Sequence, residues 1–181
     1  MDTGKVDILC PVYINHPSLY PIVSEFFESL KYYPEFNLIV CNDSSPLPLM
    51  PMWPVHYTTM KNLGYTHAVN VLMSMSKADI MVVCNDDLKF EKGDLDWVYN
   101  TKGIWFPRDS ASANLDQFGA IWAIDRPSFE KLGYLDERYP HYGSDRAYYL
   151  EAVKKGVPIV KVNDVCVQHH ESATYKNTNL K

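Results

Sequence analysis

The sequence predicts an α/β protein with one mostly parallel central sheet that is flanked by helices. First, short apolar runs rich in β-branched residues alternate with segments whose apolar residues have helical spacing. Second, these elements follow the order β-α-β-β-α-β in the first half of the chain, which is typical of a parallel sheet with helices on both faces. Third, two apolar runs stop abruptly on Asn and Asp, at positions 42–43 and 85–87. Strands of open α/β sheets end in this way at the edge where ligands bind.

The elements of the first half are predicted from these patterns in chain order. Apolar runs predict strands at residues 6–10, 36–41 and 55–59 and at Ile80–Cys84. Apolar residues at helical spacing predict helices at residues 19–33, with Ser18 as a possible N-cap, and at 66–77. Residues 46–54 contain four prolines and no periodic pattern, and they therefore predict a loop.

The second half of the chain has weaker patterns. Residues 97–114 are polar and irregular, and they predict a flexible loop near the site. A strand at 118–124, helices at 127–132 and 146–155, and a final strand or strand pair at 157–167 are predicted before a polar tail. Because the sequence has neither an internal repeat nor a convincing linker, we expect a single domain over residues 1–181.

Composition limits the classes of function. The hydrophobic content of 46% and charged content of 22% are ordinary for a globular protein. A net charge of −5 argues against broad nucleic-acid binding, although it does not exclude a local basic patch. None of the four cysteines forms a CxxC pair, so they are expected to be reduced thiols rather than zinc ligands. Without a signal sequence or a long apolar run, the protein is expected to be cytoplasmic and to have no membrane span.

The most informative stretch is the acidic triplet Asn85-Asp86-Asp87, which follows the apolar run Ile80–Cys84. Two adjacent carboxylates at the carboxyl end of a buried strand predict a site for a hard cation, Mg²⁺ or Mn²⁺, which could meet a diphosphate there. The alternative is a polar turn after a strand, because Asn and Asp favour turns. The triplet alone leaves both interpretations open.

The order of the motifs resembles that of a compact GT-A glycosyltransferase of the family 2 type, over about residues 6–174. The motifs are VDILCPVY, LIVCNDSSP, NLGYTHAVN, DIMVVCNDDLKF, FGAIWAIDRPSFEKLGYLDERY, YGSDRAYYLEAVKKG and VQHHESAT. The resemblance implies a nucleotide-sugar-dependent transferase that is assisted by Mn²⁺ or Mg²⁺ and inverts the sugar. It also implies a donor half at about residues 1–90 and an acceptor half at about 91–181.

On the donor side, the resemblance implies that the loop after the first strand cradles the nucleotide base. The residues that it points to there are Pro11, Val12 and Tyr13. Asp43 would accept hydrogen bonds from a base NH or a ribose hydroxyl, and its alternative is an Asx-turn with the two serines that follow. Asn62 and Gly64 fall in the segment that packs beneath the nucleotide in relatives, although Gly64 could instead supply only a positive φ angle. We count all of these residues, with Asn85 and Asp86, as candidate donor contacts.

For the metal, the resemblance puts the acidic triplet at the DXD position of the family, with Asn in the first place. Asp87 would be the direct ligand, and Asp86 or Asn85 would contact ribose or reach the metal through water. A histidine completes the metal site in relatives, and the spacing of His169 to Ser172 and Thr174 fits better than that of His170. Imidazole suits Mn²⁺ more than Mg²⁺. The alternative is a pair of surface histidines on a tail.

On the acceptor side, the resemblance implies that Asp145 is the catalytic base, because an inverting transfer needs a carboxylate that takes the proton of the acceptor hydroxyl. The family usually has Glu-Asp here, whereas this chain has Ser144-Asp145. The alternative role of Asp145 is a first-turn residue that the helix dipole favours. Three aromatic residues are candidates for the acceptor side, the first of them equally for the core: Trp122, Trp105 and Tyr142.

The leading hypothesis is therefore a non-processive glycosyltransferase that moves one sugar from a nucleotide-diphosphate sugar to a hydroxyl acceptor. A UDP-sugar is favoured as donor, and the acceptor could be a glycan, a lipid-linked precursor, a protein or a modified base in nucleic acid. The QxxRW motif of processive synthases is absent. One alternative is a nucleotide-sugar-binding module without catalysis. Another is a nucleotidyltransferase, which would be expected to carry a Gly-rich, basic phosphate loop where this chain has CPVYINHP.

Overall fold

A central sheet of eight strands organises the computed structural model, which describes residues 5–110 and 118–170. The strands are β1 (Val6–Val12), β2 (Asn37–Asn42), β3 (Tyr57–Thr58), β4 (Ile80–Cys84), β5 (Leu88–Lys89), β6 (Ile104–Asp109), β7 (Ile121–Asp125) and β8 (Ile159–His169). Their order in the sheet is β3-β2-β1-β4-β7-β6-β8-β5. β3, β2, β1 and β4 are mutually parallel, and β6 is parallel to β8. The predicted α/β class with a mostly parallel sheet is confirmed, with β7 and β5 as the antiparallel members.

The strand directions create one edge of the sheet where polar side chains collect. Because β7 is antiparallel to both β4 and β6, β6 and β8 run in the same direction as β1, β2 and β4. The carboxyl ends of these five strands therefore lie at the same edge, which we call the carboxyl edge. Ligands of open α/β sheets bind beyond such an edge.

Helices cover both faces of the sheet, as the sequence predicts. They are α1 (Leu19–Ser29), α2 (Tyr65–Met75), α3 (Arg126–Leu132) and α4 (Ser144–Lys154), with 3-10 turns at Leu30–Tyr32 and Asp96–Asn100. Along β4, Ile80, Val82 and Cys84 pack into the core on the side of α1, whereas Met81 and Val83 pack into the core on the side of the other helices. This alternation follows from the pleat of a strand, and it explains why a fully buried strand is apolar throughout.

The start of α1 differs from the prediction at Ser18. Its side chain makes no capping hydrogen bond to the helix, and its φ and ψ of −63° and −15° are already helical. The hydroxyl group lies 2.8 Å from Nδ1 of His16 instead. Ser18 is therefore not an N-cap of the usual kind, because such caps need an extended backbone to turn the side-chain oxygen back onto the helix.

The prediction of an irregular loop at 97–114 is wrong for most of that stretch. A 3-10 turn at Asp96–Asn100 is followed by β6, which lies in the sheet between β7 and β8. The strand is hard to recognise because its apolar run, Ile104 to Phe106, has only three residues before Pro107 and Arg108, and β-branched residues are scarce there. The last residues of the predicted loop, 111–114, lie outside the described residues.

β8 extends two residues beyond the strand predicted at 157–167, so that it includes His169. Its pairing with β6 is interrupted, since Pro107 lies opposite Val162 but Arg108 lies opposite Cys166. Residues 163–165 therefore form a bulge. Among residues 5–110 and 118–170, no helix has the length and apolar character that crossing a bilayer requires.

Candidate active site

The acidic triplet lies at the carboxyl edge, directly after β4. The backbone N–H of Asn85 donates to the carbonyl of Ala120 at 2.9 Å, which holds the triplet against the chain that leads into β7. Asp86 and Asp87 are only 8% and 4% exposed. β5 follows at once and pairs with the end of β8, with Leu88 opposite His169. Asp86 and Asp87 thus form a turn at the sheet edge, as the alternative interpretation holds, but this turn is buried rather than solvated.

The two candidate histidines point to different partners. The imidazole of His169 lies between two carboxylates, with Nε2 at 3.1 Å from Oδ1 of Asp87 and Nδ1 at 3.1 Å from Oδ1 of Asp109. The ring of His170 instead places Nε2 at 2.9 Å from Oε2 of Glu25. The ring of His169 therefore faces Asp87, whereas the ring of His170 faces Glu25, and only the backbone N–H of His170 contacts Asp87. This geometry favours His169 as the metal ligand, and the assignment stays a prediction.

Charge is concentrated around His169. Burial lowers the pKa of His169, but the hydrogen bond to Asp109 and the pairing with Asp87 outweigh burial and raise this pKa to about 9. Burial, and then the charge of Asp87, raise the pKa of Asp86 to about 8, although a hydrogen bond from the backbone N–H of Tyr13 opposes the shift. The carboxylates of Asp87 and Asp109 flank the His169 ring on its two nitrogens, and each favours the protonated imidazolium.

The residues at this point fit a divalent cation that also binds phosphate. Oδ2 of Asp86 and Nε2 of His169 are buried and have no hydrogen-bond partner among the described residues, although the 3.1 Å ion-pair contact brings Nε2 close to Asp87. Within the same residues, no group of three or more His, Cys, Asp or Glu side chains is arranged to hold a metal ion. Asp87 and His169 could thus supply only part of a coordination sphere. Mg²⁺ sites in nucleotide enzymes are commonly completed by substrate phosphates and water.

Asp109 is a site residue that the sequence analysis missed. It is the last residue of β6, is 3% exposed, and contacts the ring of His169. Asp109 was not recognised as a candidate because residues 97–114 were predicted to be a loop. The available signal was similar to that of the triplet, because an Asp soon after a short apolar run can mark the carboxyl end of a strand.

The candidate donor residues of the first strand are only partly at the surface. Pro11 and Val12 belong to β1, where they lie opposite Cys41 and Asn42 and are buried. Tyr13, the next residue, is half-buried at the carboxyl edge. The expectation that Pro11 and Val12 lie in an open loop is therefore wrong, since the sheet continues for two residues beyond the predicted strand.

Asp43 uses its carboxylate to hold the segment at 59–64. Oδ1 accepts hydrogen bonds from the hydroxyl of Thr59 at 3.0 Å and from the N–H of Leu63 at 3.1 Å, and Oδ2 accepts from the N–H of Gly64 at 3.0 Å. The Asx-turn in this loop is made by Asn42, whose Oδ1 accepts from the N–H of Ser45 at 3.0 Å. The described contacts of Asp43 are thus with the protein, and its role toward a nucleotide stays a prediction.

The segment at 62–64 joins the donor residues to the loop before α4. Asn62 donates from Nδ2 to the carbonyl of Asp43 at 3.3 Å. Gly64 has a φ of 93°, and a Cβ at this position would lie 2.4 Å from the carbonyl oxygen of Pro140. The N–H of Thr66 donates to the same carbonyl at 3.1 Å. Gly64 thus supplies both the positive φ and a close approach of two backbones.

Asp145 lies in the first turn of α4 and is half-buried. It interacts with Tyr65, the first residue of α2. Burial raises the pKa of the Tyr65 hydroxyl, and the charges of Asp145 and of the Cys84 thiol raise it further, whereas a hydrogen bond from Trp122 lowers it. Because Cys84 directly precedes the acidic triplet, the phenol of Tyr65 links the surroundings of Asp145 to the end of β4.

Two of the three aromatic candidates for the acceptor side make contacts within the protein. Trp122 is 1% exposed, and its ring lies 5.3 Å from Phe118 and 5.7 Å from Tyr148, which is the core position that the sequence left open. Trp105 is the second residue of β6, at the end of the strand away from Asp109, and it donates from Nε1 to the carbonyl of Lys102. Tyr142 is 66% exposed and lies three residues before Asp145, so it remains a candidate.

The fold is that of the GT-A glycosyltransferases. Mannosyltransferase PcManGT from Pyrobaculum calidifontis, solved in complex with GDP-Man and Mn²⁺, is similar over 96% of this chain and 59% of its own, with a TM-score of 0.74 and 15% sequence identity. S. aureus TarS 1-349, also solved in complex with UDP, is similar over 91% of this chain and 60% of its own, with a TM-score of 0.72 and 12% identity. No protein-family model and no curated protein matches the sequence. This chain therefore spans about 60% of the length of these neighbours, which are similar to it in fold.

Proposed function

We propose that the protein is a metal-dependent, non-processive glycosyltransferase that moves one sugar, with inversion, from a nucleotide-diphosphate sugar to a hydroxyl acceptor. The GT-A fold supports the class of reaction. The observation that carries the proposal is the pairing of Asp87 with His169 at 3.1 Å, at the carboxyl edge of the sheet. A buried carboxylate and imidazole at this edge, with an unsatisfied carboxylate oxygen of Asp86 beside them, suit a cation that binds a diphosphate.

In this proposal the donor nucleotide binds along the carboxyl edge, between Tyr13 and the segment that Asp43 holds. Asn62 and Gly64 belong to that segment, and their role is to shape its backbone. The base is not specified by these contacts, since one structural neighbour was solved with GDP-Man and the other with UDP. We favour a UDP-sugar and include GDP-sugars in the test.

Asp87 and His169 would hold Mn²⁺ or Mg²⁺, which when bound neutralises the charge that develops on the departing diphosphate. Asp86 and Asn85 would contact the ribose or reach the cation through water. Nε2 of His169 would act as a ligand only in the neutral imidazole, a state that a bound dication would favour.

Asp145 would act as the general base. Its carboxylate takes the proton of the acceptor hydroxyl while the hydroxyl oxygen attacks the anomeric carbon from the side opposite the diphosphate. The bond from that carbon to the diphosphate oxygen breaks, so that the products are an inverted glycoside and the nucleotide diphosphate. Tyr142, exposed near the start of α4, is the aromatic residue best situated to contact an acceptor.

The experiment that tests the proposal incubates the protein with UDP- and GDP-sugars, Mn²⁺ and a panel of hydroxyl acceptors. We expect Asp145→Asn to reduce turnover by about 10²- to 10⁴-fold because it removes the base, and to leave nucleotide binding unchanged. Nucleotide binding is measured by calorimetry in the same buffer. A matched control is Asp164→Asn, which removes an exposed carboxylate in the bulge of β8.

Two results would contradict parts of the proposal. Full activity of Asp145→Asn would show that another group is the base. Metal-dependent binding of UDP or GDP without transfer to any acceptor would favour a binding module instead, an alternative that Ser144 in place of an acidic residue keeps open.

A further inference from the structure

We propose that Asp109 is a positioning residue that directs Nε2 of His169 toward the cation site at Asp87. The inference rests on the proposed function, because it concerns the same cation.

Asp109 and the residue after it hold His169 at two points. Oδ1 of Asp109 is 3.1 Å from Nδ1 of the His169 ring. The N–H of His169 donates to Oγ of Ser110 at 2.9 Å, and the N–H of Ser110 donates to the carbonyl of Val167 at 2.9 Å. Asp109 at the end of β6 and Ser110 directly after it thus fix both the ring and the backbone of His169.

The bulge of β8 makes this arrangement possible. Asp109 lies opposite Val167, and His169 is two residues further along β8, on the same face of the strand as Val167. Without the bulge at 163–165, continuation of the register from Pro107 and Val162 would place Asp164 opposite Asp109. A second carboxylate would then replace Val167 opposite Asp109, and His169 would lie five residues beyond that position along β8 instead of two.

The contact between Asp109 and Nδ1 of His169 determines which nitrogen of the imidazole is available to a metal. A neutral histidine offers a lone pair at Nε2 only when its proton is on Nδ1. A carboxylate that accepts a hydrogen bond from Nδ1–H favours that tautomer, fixes the ring plane and makes Nε2 a stronger donor to a metal. Partners of this kind change metal affinity by about 10- to 100-fold when they are removed.

His170 is a useful comparison, because its ring has a different carboxylate partner from that of His169. It follows His169 directly, yet its Nε2 is taken by Glu25, which also forms an ion pair with Lys89 at 2.7 Å. A histidine that uses Nε2 on a surface carboxylate does not present this atom to a neighbouring cation site. Glu25 therefore provides a matched control, because it too is a carboxylate that pairs with a histidine at the end of β8.

The test measures Mn²⁺ affinity by electron paramagnetic resonance in the presence of UDP or GDP, so that no turnover is needed. We expect Asp109→Leu to weaken Mn²⁺ binding about 10- to 100-fold. Asp109→Asn should lie between this variant and the wild type, because its amide oxygen can still accept a hydrogen bond from Nδ1–H. Glu25→Gln should bind Mn²⁺ as the wild type does. Circular dichroism and thermal unfolding show whether each variant folds. If Asp109→Leu does not fold, the Mn²⁺ affinity of Asp109→Asn still tests the inference.

A double-mutant cycle separates positioning from a general structural effect. If Asp109 acts through His169, then Asp109→Asn should cause no further loss of Mn²⁺ affinity in a His169→Gln background. Equal Mn²⁺ affinity of wild type and both Asp109 variants would overturn the inference and leave the proposed function intact, as would additive losses in the cycle. Failure of the wild type to bind Mn²⁺ with either nucleotide would instead overturn the metal site of the proposed function, and this inference with it.

Discussion

At the scale of single residues, Gly64 is constrained by both its backbone angles and its neighbour. Its φ of 93° lies in a region that L-residues rarely adopt, and the carbonyl oxygen of Pro140 occupies the space where a Cβ would be. The same turn gives its N–H to Asp43. A side chain here would therefore disturb the contact between the candidate donor segment and the loop that precedes α4.

We expect Gly64→Ala to lower the free energy of unfolding by about 3 kcal/mol, the sum of backbone strain and overpacking. Urea unfolding followed by circular dichroism measures this loss. Gly133→Ala is the control, because Gly133 has a similar φ of 83° but nothing within 4 Å of the added Cβ. Its loss should be about 1–2 kcal/mol. Equal losses for the two variants would show that the approach of Pro140 contributes nothing.

Individual site residues were predictable where strand and polar residue were both clear in the sequence. Asp87 follows five buried apolar residues, so its place at the sheet edge could be inferred. Asp109 follows a strand broken by a proline, and only the neighbouring strands in space reveal it as part of the sheet. The choice between His169 and His170 also needed the structure, because it depends on which ring faces Asp87.

At the scale of elements, α2 is fastened to the loop after α3 by Asn70. Nδ2 of Asn70 donates to the carbonyl of Leu135 at 2.9 Å, and the N–H of Leu135 donates back to Oδ1 at 2.9 Å. Nδ2 also lies 3.0 Å from Oε1 of Glu137. The amide of Asn70 thus makes two reciprocal hydrogen bonds with the backbone of Leu135, as a residue of a paired strand would. These bonds hold the loop that leads toward Asp145 in place.

We expect Asn70→Ala to destabilise the protein by about 2–4 kcal/mol, because it leaves buried backbone groups of Leu135 without their partners. The loss is measured by thermal and urea unfolding. Ser74→Ala, one turn later on α2, removes an exposed hydroxyl that bonds to the carbonyl of Val71 within the helix, and it should cost less than about 0.5 kcal/mol. A loss of that small size for Asn70→Ala would contradict the fastening role.

The elements that the sequence failed to predict are those that depend on partners far along the chain. β5 has only two residues and exists because the end of β8 lies beside it. β6 has few strand-forming residues and is stabilised by strands on both sides. The helices and the strands of the first half carry their own periodic patterns, and for that reason their predicted positions agree with the structure to within a few residues.

At the scale of the whole molecule, the sheet separates the four cysteines into two environments. Cys10, Cys41 and Cys84 are buried in the central strands, whereas Cys166 is exposed on β8. Burial, and then the charge of Asp43, raise the pKa of Cys41 to about 12. A thiol of this kind is inert at neutral pH because the thiolate is the reactive form.

We expect one of the four thiols to react rapidly with a disulfide reagent in the native protein, and all four to react after denaturation. The absorbance of the released thiolate gives the count, and the Cys166→Ser variant should lose the rapid phase. Rapid reaction of two or more thiols in the native state would mean that the central strands are not packed as described.

The arrangement of the sheet was predictable in outline but not in the direction of every strand. The alternation of strands and helices in the first half predicts a parallel sheet. The reversal of β7 leaves no mark in its sequence, since Ile121–Asp125 is as apolar as a parallel strand would be. Only this reversal lets β6 and β8 end at the same edge as β4, and with it Asp109 and His169 meet Asp87.

The short pairing of β5 with β8 continues into a backbone hydrogen bond whose hydrogen exchange can be used to detect binding at the candidate site. The amide of His170 donates to the carbonyl of Asp87 at 2.9 Å, so that two segments 83 residues apart share one backbone hydrogen bond at the point of proposed cation binding. Ligand binding that rigidifies the residues after β4 should protect the amide proton of His170 from exchange. The rate at which it exchanges with deuterated solvent would register occupancy of the site even for a compound that is never turned over.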